Sequence, residues 1–415
     1  MSASETVVSA SPIAAPPRLL RAASRRFAWA LGILLLALFF LIASDQWLSL
    51  ANFTMLAAIA ALSLNVLSGY TGQVSLGIAF FMAIGAYTAV LLGGDPKASF
   101  FISGKSVPGL GLGLSFLIWL PASGIVAAIA GAVIGPTALR LKGFYLGIVS
   151  LALIFIGQHI FVNTVRLTGG PGGRSFPSPA FGEFNFSRQN DILGVAVTSN
   201  QEFFLLILLI LVLAAIFVGN VMRTRAGRAF QAVRDNETSA AIIGVNLFKA
   251  KMGAFIFSSF IAGVAGALFA SYTSYIQPNY WGLLLSIQYV AAIIVGGVAS
   301  VWGSILGAVF VFALPQIFDL LSPPQTTGSP GLFGIAVGDL NAVVYGLLII
   351  VFLLFEPGGV IGLIRRIQLL SLRLNHRLRK GGELTKASPD LEPDAQFEVE
   401  SSTLSASKGT EMFDE

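Results

Sequence analysis

The chain has 415 residues, 55% of them hydrophobic and 11% charged, with a formal net charge of +5 at pH 7. A soluble globular chain carries about 25% charged residues, so this composition excludes an ordinary water-soluble fold and calls for lipid as the solvent. The sequence holds no cysteine and only two histidines, His159 and His376, so there is no disulfide framework and no thiolate metal site, and its basic residues flank apolar runs, which favours topology control and anionic lipid over nucleic acid.

From the N-terminus, residues 1–17 are rich in Ser, Pro and Ala and lack apolar periodicity, and residues 1–26 are expected as a disordered cytoplasmic tail. Ten apolar runs follow, at 28–44, 50–68, 73–92, 114–136, 144–162, 203–221, 250–272, 284–299, 302–320 and 341–356. A membrane span needs roughly 20 such residues. The predicted fold class is therefore all-α: a polytopic transmembrane helical bundle of about ten spans occupying 27–364, with the eighth and ninth expected as broken or re-entrant helices. The first run follows Arg25 and Arg26 as a signal peptide would, but it exceeds the usual h-region of about 7–15 residues and is expected as an uncleaved anchor.

Residues 67–87, LSGYTGQVSLGIAFFMAIGAY, break the apolar pattern with Gly69, Gly72 and Gly77 beside Tyr70, Thr71, Gln73 and Ser75. Interrupted helices at membrane depth persist where they are buried in protein or line a cavity, which makes this stretch a pointer to a transport path. Close packing of small residues is the bland alternative. Ser99–Ser106, SFFISGKS, ends like a phosphate loop, but Ser99 stands where the first glycine belongs and no strand precedes it, so ATP binding is not expected there. Segment 163–202 is long for a connection, and Gly169, Gly170, Gly172 and Gly173 around Pro171 require an unusual backbone path, read as a contact for a binding protein, a gate at the outer mouth or a loosely ordered loop.

Segment 222–251 is charged without being of low complexity. Ala229 to Ile243 has helical character, with Phe230, Val233 and Ile242 apolar among Arg234, Asp235 and Glu237, and Gly244 is placed to stop that helix in the left-handed conformation. It reads as a handle for a partner protein, or as a solvated loop whose arginines set topology. Residues 295–310, VGGVASVWGSILGAVF, share glycines, a serine and a small-residue face with 67–87 and form a weak internal repeat. The pairs Gly131/Gly135 and Gly303/Gly307 have GxxxG spacing and read as packing faces. Residues 365–380 alternate Leu with basic residues as a juxtamembrane amphipathic helix would, and 381–415 is expected as a second disordered cytoplasmic tail.

With both termini in the cytoplasm, the 25 Lys and Arg divide 20 inside against 5 outside, the bias that cytoplasmic loops show. The spans hold almost no Asp, Glu, Lys or Arg, which weakens proton coupling and places the energy source in another subunit. No catalytic, cofactor-binding or metal-ligating set is legible, so an enzyme is not expected. The rival functional readings are a stand-alone ion-coupled secondary transporter and a non-transporting membrane scaffold; polar interruptions at depth argue against the second.

Three stretches together resemble the LivM family of permease subunits from ABC importers of branched-chain amino acids, whose relatives carry urea, amides and other small solutes. They are GYTGQVSLGIAFFMAIGAY (69–87), LRLKGFYLGIVSLA with LTGGPGG (139–152, 167–173) and RAGRAFQAVRDNETSAAIIGVN (225–246) with Lys249. GVASVWGSILGA (297–308) and FEPGGVIG (355–362) fit as well, so the resemblance covers about 28 to 365. It implies a bacterial inner-membrane protein paired with a second homologous permease, driven by two cytoplasmic ATP-binding subunits and fed by a periplasmic substrate-binding protein. It also implies that 222–251 holds a coupling helix, with Arg234, Asn236, Glu237, Ala241, Gly244, Asn246 and Lys249 matching the family pattern. Glu237 and Gly244 stand one residue further apart than in the stricter coupling motif. Alternating access along a path including Asn65, Tyr70, Gln73, Ser75 and Gln288 is the implied mechanism, with Gly169, Gly170, Pro171 and Gly172 at the outer mouth.

Overall fold

The residues from Asp45 to Tyr70 are apolar or small around every face, and a helix without a polar side belongs in the interior. In the computed structural model they form α1 (Asp45–Leu64), which runs on into a π-helical turn, Asn65–Tyr70. The apolar window of this span is 83% buried, against 22% for Ser199–Arg223, so α1 is the axis of the bundle and Ser199–Arg223 lies at its rim. The structure describes residues 34, 36–95, 99–102, 105–108, 111–138, 144–176, 180–181, 184–185, 190–192 and 195–321, with 346–347, 350, 354, 359–363 and 366 beyond them. The chain divides into a unit ending at Leu363 and a second, Ile364–Glu415, of which only Arg366 is described. The expected tails, the 365–380 helix apart from Arg366, the start of the first span and most of the tenth fall outside the described residues.

Around α1 stand α2 (Ile78–Gly93), α3 (Phe116–Ala138), α4 (Phe144–Asn163), the single turn α5 (Val165–Thr168) and α6 (Ser199–Arg223). Two short helices, α7 (Arg225–Asp235) and α8 (Glu237–Ile242), precede α9 (Leu247–Thr273). Then come α10 (Leu283–Gly296), α11 (Val301–Ala308), a π turn at Val309–Ala313 and α12 (Leu314–Leu321). Five helices among the described residues are long and apolar enough to cross a membrane, and three shorter apolar ones accompany them. At 1.5 Å per residue the 14 residues of α10 reach about 21 Å, short of a hydrocarbon core of about 30 Å. The eighth expected span is thus a short helix ending at a break, whereas the ninth is not broken and runs from α11 through its π turn into α12 with helical backbone throughout.

The rim helices show what solvent they meet. Leu205, Leu209, Leu213 and Ile216 of α6 are each at least half exposed and follow one another at helical spacing. Ile125, Ile129 and Val133 of α3 do the same. Apolar stripes facing outward at this spacing suit hydrocarbon and not water.

Inside, small residues let backbones meet. α9 packs on α1, α2 and α3. A Cβ built on Gly266 would lie 1.9 Å from the Met82 carbonyl oxygen, and one on Gly85 would lie 2.0 Å from that of Gly263. Gly131 and Gly135 of α3 close on Ser259 and Met252 of α9, and Gly303 and Gly307 of α11 close on Gly296 and Ala292 of α10, so both GxxxG pairs are packing faces.

The strands are short: β1 (Ser99–Ile102) and β2 (Lys105–Pro108) form a hairpin with Ser99 opposite Pro108. Lys105 and Ser106 therefore lie in the second strand of a hairpin and not at a strand–loop–helix junction. β3 (Arg174–Ser175) is followed by β4 (Ala180–Phe181), β5 (Phe184–Asn185), β6 (Asn190–Ile192) and β7 (Val195–Val197). β3 pairs antiparallel with β8 (Tyr275–Ile276), just after α9.

Candidate coupling and translocation site

Two interruptions that lie more than two hundred residues apart in sequence meet in the fold. Asn65, 1% exposed, donates from Nδ2 to the Ser300 carbonyl at 2.9 Å and to Ser304 Oγ at 2.6 Å, and its Oδ1 accepts the Ala299 N–H at 2.9 Å. It thereby bridges the π turn to the break between α10 and α11. Ala299 there has φ +59° and Gly297 φ +116°, and a Cβ on Gly69 would fall 1.7 Å from Asn65 Oδ1 and 2.7 Å from the Ala299 nitrogen. Only glycine fits at Gly69 without displacing one of these groups.

Residues 71–77 are not helical, so α2 begins at Ile78 rather than at the expected 73. A break in a low-dielectric interior exposes backbone donors, and neighbouring serines take them up. Ser150 of α4 accepts the Leu76 N–H at 2.8 Å and Ser286 of α10 accepts the Ala79 N–H at 3.2 Å. Within the stretch, Thr71 donates to the Val66 carbonyl at 3.0 Å and the Gln73 N–H to that of Leu67 at 3.2 Å. Sequence reasoning did not single out Ser150, Ser286, Ser300 or Ser304. Their only signal was a hydroxyl inside or beside an apolar run.

Beside this break opens a cavity of about 320 Å³ lined by Ser68, Val74, Ser75, Leu76, Gly147, Ile148, Leu151, Val290, Ile293, Ile294 and Val298. Its wall is aliphatic apart from two serine hydroxyls, and Ser68 Oγ has no hydrogen-bond partner among the described residues. Of the five path candidates only Ser75 lines it. Asn65 and Tyr70 are buried in the packing behind it, Gln73 is buried and turned toward α9, and Gln288 is half-buried on α10 outside the lining.

The 222–251 segment folds back against the same break. Gly227 lets α7 turn tightly off α6, since a Cβ there would lie 2.4 Å from the Met222 Cα. Phe230 and Val233 are buried while Arg228, Gln231 and Arg234 are exposed, so α7 is amphipathic as expected. The single helix expected over 229–243 is two helices. Asn236 leaves the helical region at φ −163°, ψ 115°, and its Oδ1 accepts the Ser239 N–H at 3.0 Å. The side chain competes with the α7 backbone and starts α8 instead. Gly244, φ +86°, ends α8 in the left-handed conformation as expected, and Asn246 Oδ1 caps α9 by accepting the Lys249 N–H at 2.9 Å. Ala241 and Lys249 are exposed, as are Ile242, Ile243 and Phe248.

Two contacts join this segment to the break. Gly72, φ +71°, brings its backbone so close to Arg234 that a Cβ would lie 3.3 Å from the arginine Cγ. Lys251, 9% exposed, holds Glu237 Oε1 at 2.6 Å, and its carbonyl accepts Gln73 Nε2 at 3.3 Å. Lys251, the last residue of the charged 222–251 segment, lies in the second turn of α9 rather than in the loop.

At the opposite end of the long helices, Gly169, Gly170 and Gly173 all have positive φ, and Gly170–Gly172 forms a 3-10 turn around Pro171. Tyr275 donates from Oη to the Gly172 carbonyl at 2.5 Å. Arg174 is buried, donates to the Leu167 carbonyl at 3.0 Å, and burial pushes its guanidinium below its ordinary pKa. Nearby, Asn200 Nδ2 donates to Asp45 Oδ2 at 2.8 Å, Asn52 donates to the Asn200 carbonyl at 3.0 Å, and Tyr272 donates to Asn200 Oδ1 at 2.9 Å. This network ties the starts of α1 and α6 to the end of α9.

The family model for the permease component of the branched-chain amino acid transport system matches residues 46–377. The chain is similar to the high-affinity branched-chain amino acid transport system permease protein LivM of Salmonella typhimurium, 34% identical over 275 residues, 63% of this chain and 61% of that protein. The LivM protein of Escherichia coli is 33% identical over the same shares, and the probable branched-chain amino acid transport permease protein LivM of Methanocaldococcus jannaschii is 25% identical over 335 residues, 73% of this chain and 89% of that one. The match thus spans about 61% of the length of the first two relatives. No solved structure matches the chain.

Proposed function

The chain belongs to the family of permease components of branched-chain amino acid transport systems, and from this premise we propose that it is the transmembrane permease subunit of an ABC importer for branched-chain amino acids or similar small solutes. Its partners in this reading are a second homologous permease, two cytoplasmic ATP-binding subunits and a periplasmic substrate-binding protein in a bacterial inner membrane. Both termini face the cytoplasm, because the basic end carries Arg223, Arg225, Arg228, Arg234, Lys249 and Lys251 while the opposite end carries Arg166 and Arg174.

One observation carries the reading. At the basic end, the end of α8 and the first turn of α9 present exposed Ile242, Ile243 and Phe248 outward, while Arg234 of α7 packs directly on Gly72 of the broken stretch. A free apolar face on a short helix suits a groove in a partner. Packing on the break gives movement of that partner a route to the cavity wall. ATP binding closes the two motor subunits, the segment follows, and the paired permeases rock about the cavity between outward and inward access. Arg234, Asn236, Glu237, Ala241, Gly244, Asn246 and Lys249 form or brace this coupling segment, and the loop at Gly169–Gly172 receives the binding protein. The aliphatic wall with few hydroxyls favours a neutral or zwitterionic solute with an apolar part over an ion.

The test is reconstitution of this chain in proteoliposomes with candidate partner permease, ATP-binding subunits and binding protein, followed by uptake of labelled leucine. Uptake that needs ATP and every partner, and that Gly244→Pro abolishes while the complex still assembles, is the expected result. Uptake by this chain alone on a sodium gradient, indifferent to ATP, would overturn it in favour of a secondary transporter.

A further inference from the structure

Lys251 joins three things that the sequence keeps apart. Its ammonium meets Glu237 of α8 at 2.6 Å, its own backbone belongs to α9, and its carbonyl accepts from Gln73 in the broken stretch at 3.3 Å. α8 has six residues, too few to be rigid by itself. It is fixed at its start by the Asn236 cap and released at its end by Gly244. Its hold on the bundle therefore depends on what its side chains grip, and Glu237 grips Lys251. The Glu237 side chain is 40% exposed and that of Lys251 is 11% exposed, so the pair sits where water screens it only in part. Gln73 is followed by Val74, Ser75 and Leu76, all in the cavity wall.

We propose that Lys251 is the positioning residue that carries displacement of α8 into residues 73–76, and that Glu237 faces inward as its partner and does not dock the motor subunit. The proposal rests on the importer reading given above. The docking surface then falls to Ile242, Ile243 and Phe248, and the carboxylate that the family pattern singles out has an internal task. Removing the ammonium leaves α8 attached through its backbone to α7, whose Arg234 stays on Gly72, but frees Glu237 from α9. Motor subunits still bind and still hydrolyse ATP, while less of each stroke reaches the wall.

The experiment uses the complete reconstituted importer and reads three quantities: motor subunits retained, ATP hydrolysed, and leucine taken up per ATP. For Lys251→Met the expected result is full retention, hydrolysis near wild type, and uptake per ATP lower by about tenfold, a coupling loss of ordinary size. Lys251→Arg and the swap Glu237→Lys with Lys251→Glu are expected to restore the ratio to within about threefold, which a general loss of stability would not do. Gln73→Leu, which leaves the ion pair intact, is expected to lower uptake per ATP in the same way. Parallel loss of retention, hydrolysis and uptake in Lys251→Met, or loss of motor binding in the swap, overturns the proposal and returns Glu237 to the docking surface. A wild-type importer whose uptake ignores ATP overturns the importer reading itself, an outcome visible before any variant is made.

Discussion

Asn65 makes its polar bonds inside the protein, two as donor and one as acceptor, to the break before α11 and to Ser304 of that helix, 234 to 239 residues away. Asn65→Ala is expected to strand the part-buried Ala299 N–H, lowering stability by about 1–3 kcal/mol, whereas the Ser300 carbonyl keeps the Ser304 N–H at 3.0 Å. Thermal unfolding of the purified protein in detergent measures it. Gly69→Ala is expected to cost a similar amount for a steric reason, about 1–3 kcal/mol of overpacking, because the new methyl would overlap Asn65 Oδ1. If both variants melt with the wild type, the bridge contributes nothing. The polar residues around the break were legible in the sequence as a group. Which of them line space and which hold backbone were not, because a side chain's partner lies on another helix. Asn65 read as a path residue and is a clamp in the packing, whereas Ser75 does face the cavity.

At the scale of elements, small residues decide how near the helices come. Gly266→Leu is expected to drive α9 off α2, since its Cβ alone would sit 1.9 Å from the Met82 carbonyl oxygen. Gly219→Leu on α6 meets nothing within 4 Å and is expected to behave as wild type. Size-exclusion chromatography with a melting curve separates the two, and equal behaviour would refute the packing account. Helix lengths were largely readable: α3 and α4 fall within about two residues of the expected spans, because apolar run length sets them directly. The expected 229–243 helix failed at Asn236, where a capping side chain outweighs helix propensity. α6 begins at Ser199 rather than 203, held by Gln201 Oε1 accepting the Thr198 N–H at 3.0 Å.

For the whole molecule the charge bias sets sidedness, and labelling tests it. The chain has no cysteine, so single cysteines report accessibility without a background. Ile242→Cys, at an 80% exposed position, is expected to react with an impermeant maleimide only from the cytoplasmic side, and Gly172→Cys, also exposed, only from outside. Labelling of both from one side would invert or break the topology drawn from the charge bias. Membrane residence, helical class, the positions of the interruptions and the family were determined by the sequence alone, because hydrocarbon selects for apolar run length and composition whatever the partners are. Tertiary structure decided that the two interruptions are one site, that Glu237 turns toward Lys251, and that Ser150 and Ser286 supply the acceptors the broken helix lacks. Those are bonds between helices far apart in the chain, and a linear pattern carries no distance between them.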